Sequence, residues 1–220
     1  MAFDVGGTKY LNKYQNTYEF ISNNIKIMEN TFGIIKMFKK QFVFASSQMS
    51  NMNHSSYGLL KNLGEKYTHT LGGIVVKLWN VYGIEKDLKK SHVITDFILM
   101  SLRNKKINML TDGKEKRDFL YAEDCCVGLE KILINYRKLK KSKKTLDIAS
   151  GKNTRIIDIA KIIQNLLKKE NIIIKIKRSK NKDLVQLNKK NKPNPFFRRY
   201  WKPNFSLENG IEKIINYYKK

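Results

Sequence analysis

Three short apolar runs alternate with amphipathic stretches, and that alternation admits only a narrow set of folds. The runs are Gln41–Ala45, Gly73–Trp79 and Leu146–Ala149. Each is short for a helix and apolar enough to be covered on both faces, as buried parallel strands are. Between the runs the apolar spacing changes to three and four. From Tyr18 to Phe38 it places Ile21, Ile25, Met28, Phe32 and Ile35 on one helical face. A second helix is predicted over Tyr57–Leu71, with Leu60, Leu63, Tyr67 and Leu71 inward and Gly72-Gly73 as its stop. Strands alternating with helices predict an α/β fold with a mostly parallel sheet.

Beyond Gly83 the pattern loosens. A helix is predicted near Ile94–Leu102, then short strands over Asn108–Tyr121 around the turn Asp112-Gly113. Helices over Cys125–Tyr136 and Thr154–Leu167 flank the Leu146 strand, the second with Thr154 as N-cap. Ile172–Ile176 reads as a strand and Asn181–Pro195 as a loop. The last helix starts at Ser206 and turns Leu207, Ile211, Ile214, Ile215 and Tyr218 inward. At 220 residues there is room for one core and a small second lobe. No apolar run approaches the ~20 residues that span a bilayer. Cys125 and Cys126 are adjacent, a poor disulfide framework, so a reducing cytoplasm is expected. His54, His69 and His92 are scattered without ligand spacing and predict no metal site.

The chemistry-bearing residues come in one order: a strand ending in Ser46-Ser47, a helix carrying Tyr57 and Lys61, and a strand followed by Asn80-x-x-Gly83. Residues four apart share a helix face, and an ammonium beside a phenol favours the phenolate. A tyrosine so tuned takes a hydroxyl proton while hydride leaves the same carbon for a nicotinamide. A serine from the adjacent strand end would hold the same substrate oxygen. The Tyr-x-x-x-Lys spacing alone is uninformative, because Tyr82/Lys86 and Tyr136/Lys140 also fit it. Only Tyr57/Lys61 stands in the ordered context.

That ordered set resembles the extended short-chain dehydrogenase/reductase family, specifically its nucleotide-sugar epimerases and dehydratases. Further matches are Asp112–Phe119 with Tyr121 and Asp124, Leu146–Gly151, and the closing stretch Trp201–Ile211. The resemblance implies NAD or NADP as cofactor and a nucleotide sugar as substrate. It makes Tyr57 the acid/base, Lys61 its partner on the nicotinamide ribose, and Ser47 (with Ser46 as the alternative) the substrate-polarising hydroxyl. Asn80 and Arg117 match positions that contact the diphosphate, and Asn24 matches one near the cofactor. Without a resemblance, Asn24 reads equally well as an exposed helix residue, and Arg117-Asp118 as a local surface pair. Gln48 and Met49 stand where the dehydratases carry an acidic pair, which favours epimerisation or reduction. The arginine that the family places before its closing segment has only Arg178 or Lys180 as candidates.

The family opens with a strand, a glycine-rich turn and a helix that hold the dinucleotide. Here only 41 residues precede Phe42, and Gly6-Gly7 opens no such loop. Residues 2–7 are therefore predicted to be the end of a fourth strand and the loop after it, and the chain to be N-terminally incomplete. The predicted fold is the C-terminal portion of a Rossmann-type parallel sheet with a small mixed α/β substrate-binding lobe. Residues 1–90 and 122–150 would form the core, and 91–121 and 151–220 the lobe. A homodimer or an N-terminal partner chain would cover the sheet edge. The alternative function is a non-catalytic sugar-nucleotide-binding remnant, or a subunit completed by that partner.

The net charge of +25 suggests nucleic-acid binding through Arg137–Lys144 and Lys168–Lys192. Lys outnumbers Arg about fivefold, and Asn and Ile are abundant, as compositional drift would produce. Nucleic acid is accordingly disfavoured as a partner, and the charge is expected to favour anionic ligands such as a sugar nucleotide.

Overall fold

The computed structural model describes residues 3–183, 185 and 192–220. In chain order the helices are α1 (Thr8–Tyr14), α2 (Tyr18–Phe38), α3 (Ser56–Thr70), α4 (Val93–Asn104), α5 (Ala122–Ile134), α6 (Tyr136–Lys141), α7 (Ile156–Lys168) and α8 (Leu207–Tyr218). The strands are β1 (Val43–Ser47), β2 (Ile74–Leu78), β3 (Asn80–Tyr82), β4 (Lys106–Asn108), β5 (Lys116–Tyr121), β6 (Leu146–Ile148), β7 (Asn153–Arg155) and β8 (Lys175–Lys177). They fall into two compact units, each assembled from separated stretches of chain. The first comprises Met1–Trp79, Val127–Ile148 and Asn191–Lys202; the second comprises Asn80–Cys126, Ala149–Lys190 and Pro203–Lys220.

The first unit is built on a parallel sheet in the order β1-β2-β6, with Val43 opposite Ile74 and Val76 opposite Leu146. Helix α3 lies close on β1 because residue 64 is glycine: a Cβ there would sit 2.3 Å from the Phe44 ring. Helix α2 starts at Thr17, whose hydroxyl accepts the Phe20 N–H, and ends on Lys39 in the left-handed region. Its bounds are those predicted, and Met28 and Phe32 turn inward as expected, but the first half of the face is rotated. Phe20, Asn24, Met28 and Phe32 are buried at a strict spacing of four, while Ile25 is exposed. Asn24 occupies the middle of that face because its amide is satisfied there. The Asp4 N–H donates to its Oδ1 at 2.8 Å, and its Nδ2 donates to the Phe20 carbonyl at 2.9 Å. On α3, Leu63 and Tyr67 are likewise exposed, and the Tyr67 ring stacks on Phe32 with centroids 5.0 Å apart.

Of the strand end and following loop expected over residues 2–7, no strand forms in Phe3–Gly7, and Ala2 lies outside the described residues. The Asp4 main chain is bonded to the Asn24 side chain instead of to a neighbouring strand. In the expected loop 181–195, residue 184 and residues 186–191 also lie outside the described residues.

In the second unit β3 runs parallel to β5, β7 runs antiparallel to β5, and β4 pairs in parallel with β8. Ile98, Ile107, Ile159, Ile163, Leu167, Ile211 and Ile214 form the centre of its core. Ser206 caps α8 as predicted, accepting the Asn209 N–H at 3.1 Å. Thr154 does not cap α7: it lies in β7, and the helix begins one residue later, after Arg155, whose guanidinium reaches Asp158 at 2.7 Å. The single helix expected from Cys125 to Tyr136 is two, parted at Asn135.

Candidate active site

β1 delivers Ser46 and Ser47 to its C-terminal end, and the chain returns through a tight turn into α3. The Ser47 hydroxyl accepts the Met49 N–H at 3.1 Å and so fixes that turn. Ser55 caps α3 by accepting the Gly58 N–H, and donates its own proton to Gln15 Oε1 at 2.8 Å. Gly58 lets the first turn of α3 lie against the chain leaving Ser47. A Cβ at that position would meet the Met49 carbonyl oxygen at 2.4 Å, where only glycine fits. Tyr57 is held on that first turn, next to Ser47.

Tyr57 and Lys61 are both buried, one helical turn apart. Burial pushes the Tyr57 phenol up to about 12, and a hydrogen bond with the Ser47 side chain pulls it partly back. Lys61 Nζ donates to the Ala45 carbonyl at 2.7 Å, lies 3.7 Å from the Phe3 ring centroid, and lies 5.7 Å from that of Tyr57. Burial pushes this ammonium down to about 7, with Glu65 opposing the shift. The sequence led us to expect a phenol lowered by its ammonium neighbour. Here desolvation acts on both groups and favours the neutral form of each.

Beneath this pair runs a polar chain that motif reading did not single out. Ser46 Oγ donates to Glu65 Oε1 at 2.5 Å, Glu65 pairs with Lys77 at 3.4 Å, and Lys77 Nζ donates to Asn51 Oδ1 at 3.1 Å. The two serines therefore serve different partners: Ser47 faces Tyr57, and Ser46 faces Glu65. Two signals were available for this chain. Glu65 stands four residues after Lys61 on the same face, and Lys77 interrupts an apolar strand.

The Lys61 shift carries a consequence for stability. Its pKa is about 7 in the folded chain against an ordinary 10.5, so between those values the unfolded chain binds more protons. Folding is penalised below about 7, and stability is regained as pH rises through the window. Urea unfolding of the native chain should strengthen from about pH 7 to about pH 9, and Lys61→Met should flatten that slope. An equal slope in both proteins would mean that another group is its source.

The remaining candidates have definite partners. Asn24 is fully buried, which removes the exposed-helix reading, and its amide serves Phe20 and the Asp4 main chain. Asn80 Nδ2 donates to the Asp118 carbonyl at 3.1 Å and so ties β3 to β5. Arg117 donates to the Lys116 carbonyl at 2.8 Å and pairs with Asp183. Asp118, buried beside it, accepts from Ser150 N–H and Oγ at 2.7 Å each and from Gly151 N–H at 2.6 Å. Ser47, Tyr57, Lys61 and Asn24 belong to the first unit, and Asn80 and Arg117 to the second.

The sequence pattern of the NAD dependent epimerase/dehydratase family matches residues 6–149. A Methanocaldococcus jannaschii protein provisionally named UDP-glucose 4-epimerase is 29% identical over 217 residues, spanning 86% of this chain and 68% of that protein. Among solved structures, an epimerase from Methanothermobacter thermautotrophicus superposes with a TM-score of 0.82 at 18% identity, covering 100% of this chain and 70% of that one. The UDP-glucuronic acid 4-epimerase of Bacillus cereus, solved with UDP-glucuronic acid and NAD, gives 0.70 at 21% identity over 92% of this chain and 69% of that one. These structural likenesses establish a Rossmann-type α/β fold.

Proposed function

The chain belongs to the NAD dependent epimerase/dehydratase family, and from that premise we propose that it is a nucleotide-sugar epimerase or reductase. In this reading Tyr57 carries the proton of a sugar hydroxyl. The observation that carries it is the placement of Ser47 at the end of β1, buried Tyr57 on the first turn of α3, and buried Lys61 one helical turn beyond. Ser47 would hold the reacting hydroxyl in line with the phenol oxygen. Lys61 and Glu65 would set the charge around that oxygen. Asn80 and Arg117 would reach the diphosphate by exchanging the partners they hold here, the Asp118 carbonyl for Asn80 and Asp183 for Arg117; a guanidinium so released offers two parallel donors.

NAD, when bound, supplies acceptance and return of a hydride at the sugar carbon. Tyr57 and Lys61 fit such a partner by position and chemistry. Asn24 does not, because Phe20 and Asp4 already engage its amide. NADP remains as an alternative form of the same cofactor.

A second reading, sugar-nucleotide binding without turnover, draws support from one specific contact. Lys61 Nζ already donates to the Ala45 carbonyl and lies under the Phe3 ring. The two readings part in one experiment: the chain is mixed with NAD and UDP-glucose, and UDP-galactose is followed by proton NMR. Calorimetric binding of the sugar nucleotide is measured alongside. NAD-dependent interconversion supports the enzyme, and binding without interconversion supports the second reading. Neither binding nor turnover would dismiss both for this sugar nucleotide.

A further inference from the structure

One basic strip on the first unit has no part in the chemistry above. Arg137, Lys138, Lys140, Lys141, Lys143 and Lys144 put six cations into eight residues, against 44 in 220 for the whole chain. That is nearly four times the average density of the chain. All six are exposed, while Tyr136 and Leu139 turn the other face of α6 inward. No Asp or Glu occurs from Lys131 to Leu146. Among the described residues none of the six forms an ion pair. Some surface cations elsewhere do find carboxylates: Lys213 meets Glu123, Lys169 meets Glu208, and Arg155 meets Asp158. Uncompensated positive charge of this density favours an anionic surface.

The neighbouring residues decide which surface. At the end of α5, immediately before the strip, Leu133 and Ile134 are 63% and 68% exposed. Exposed aliphatic side chains do little for a phosphate backbone, but beside cations they enter the headgroup boundary of a bilayer. The bordering aromatic rings speak against unpaired bases. Phe196 lies under Lys144 at 4.8 Å and Arg199 at 5.8 Å, and Tyr200 lies under Lys138 at 5.5 Å. Tyr200 also stacks on Phe197, with 16° between the ring planes. Rings covered in this way are poor stacking platforms for single-stranded nucleic acid. Lysine, a compact point charge, predominates in the strip, whereas base and phosphate recognition draws on the planar fork of arginine.

We propose that this strip docks the protein on an anionic membrane, with Leu133 and Ile134 entering the headgroup boundary beside the cations. The contact is peripheral, since no described helix is long and apolar enough to cross a bilayer. The strip sits at the end of the sheet away from Tyr57. The Tyr136 hydroxyl donates to the Phe42 carbonyl at 3.2 Å, just before β1 begins, whereas Ser47 closes the other end of that strand. Docking therefore leaves the candidate active site open, and it does not depend on which reaction that site performs.

The test is co-sedimentation of the full chain with vesicles at physiological salt. One set is phosphatidylcholine alone, and the other contains about a third phosphatidylserine. We expect capture by the serine vesicles alone. The pair Lys138→Glu with Lys141→Glu should weaken it more than about tenfold. The exposed α2 lysines, changed as Lys26→Glu with Lys36→Glu, alter net charge equally and should leave most of the binding. Leu133→Ser with Ile134→Ser should also weaken capture without changing charge, and circular dichroism should show each variant folded. Equal losses from the α2 and α6 pairs would reduce the effect to net charge and overturn the proposal. So would equal capture by both vesicle types, or a single-stranded oligonucleotide that binds the strip when vesicles do not.

Discussion

On the proposed reading, Tyr57→Phe should lower turnover by about 10²–10⁴-fold, the range expected when a positioned proton carrier is removed. Sugar-nucleotide affinity should stay nearly unchanged. The substitution keeps the ring and its edge contact with Phe3 at 6.4 Å, and it deletes only the hydroxyl that bonds Ser47. A single hydrogen bond contributes about 1 kcal/mol, so the variant remains folded and the lost rate reports chemistry. Steady-state kinetics and calorimetry on the same preparation separate the two quantities. Unchanged turnover would strip Tyr57 of its role, and affinity that fell with rate would point to general damage at the site.

Asp118→Ala destabilises the chain by about 3–5 kcal/mol, a figure that follows from three charge-assisted hydrogen bonds lost together. The carboxylate is almost fully buried and gathers the Ser150 N–H, the Ser150 hydroxyl and the Gly151 N–H into one turn. Gly151 adopts φ +73 there, a conformation that ordinary side chains disfavour. With alanine those donors lose a charged acceptor, and the Ser150 hydroxyl keeps its local bonds with Lys152, from the N–H at 3.1 Å and to the carbonyl at 3.4 Å. Asp118→Asn keeps an acceptor oxygen and should lose less. Urea unfolding at neutral pH measures both, and equal midpoints for the native chain and Asp118→Ala would show that the turn is held by something else.

Much of the first unit was legible from spacing. The α2 bounds, the three parallel strands and the Tyr57/Lys61 helix all follow from apolar period and capping residues. Asn24 was hidden because an amide at an apolar register looks like an exposed residue until the main chain that satisfies it is known. The same limit explains Leu63 and Tyr67: period marks a helix face, but the neighbour decides which edge of that face is covered. Thr154 carried a good capping signal that pairing with β5 overrode, since Thr154 sits opposite Arg117 in that ladder. In the candidate site, residue types and order were readable, whereas the protonation of Tyr57 and Lys61 was not. Motif spacing records which groups meet, and burial decides which charge they can bear.

The interleaving of the two units constrains the order in which the chain can fold during synthesis. Neither unit is a continuous stretch. The first is not closed until Lys202 has emerged, and the second not until the end of the chain. Strand β2 lies between β1 and β6, and β6 follows β2 by nearly 70 residues, so a nascent chain must carry an unpaired β2 edge for much of its synthesis. Long-range parallel pairing is slow to form and exposes strand edges meanwhile. Premature termination would thus leave a half-built sheet rather than one finished unit, and the ribosome-bound intermediate is the state most in need of a chaperone.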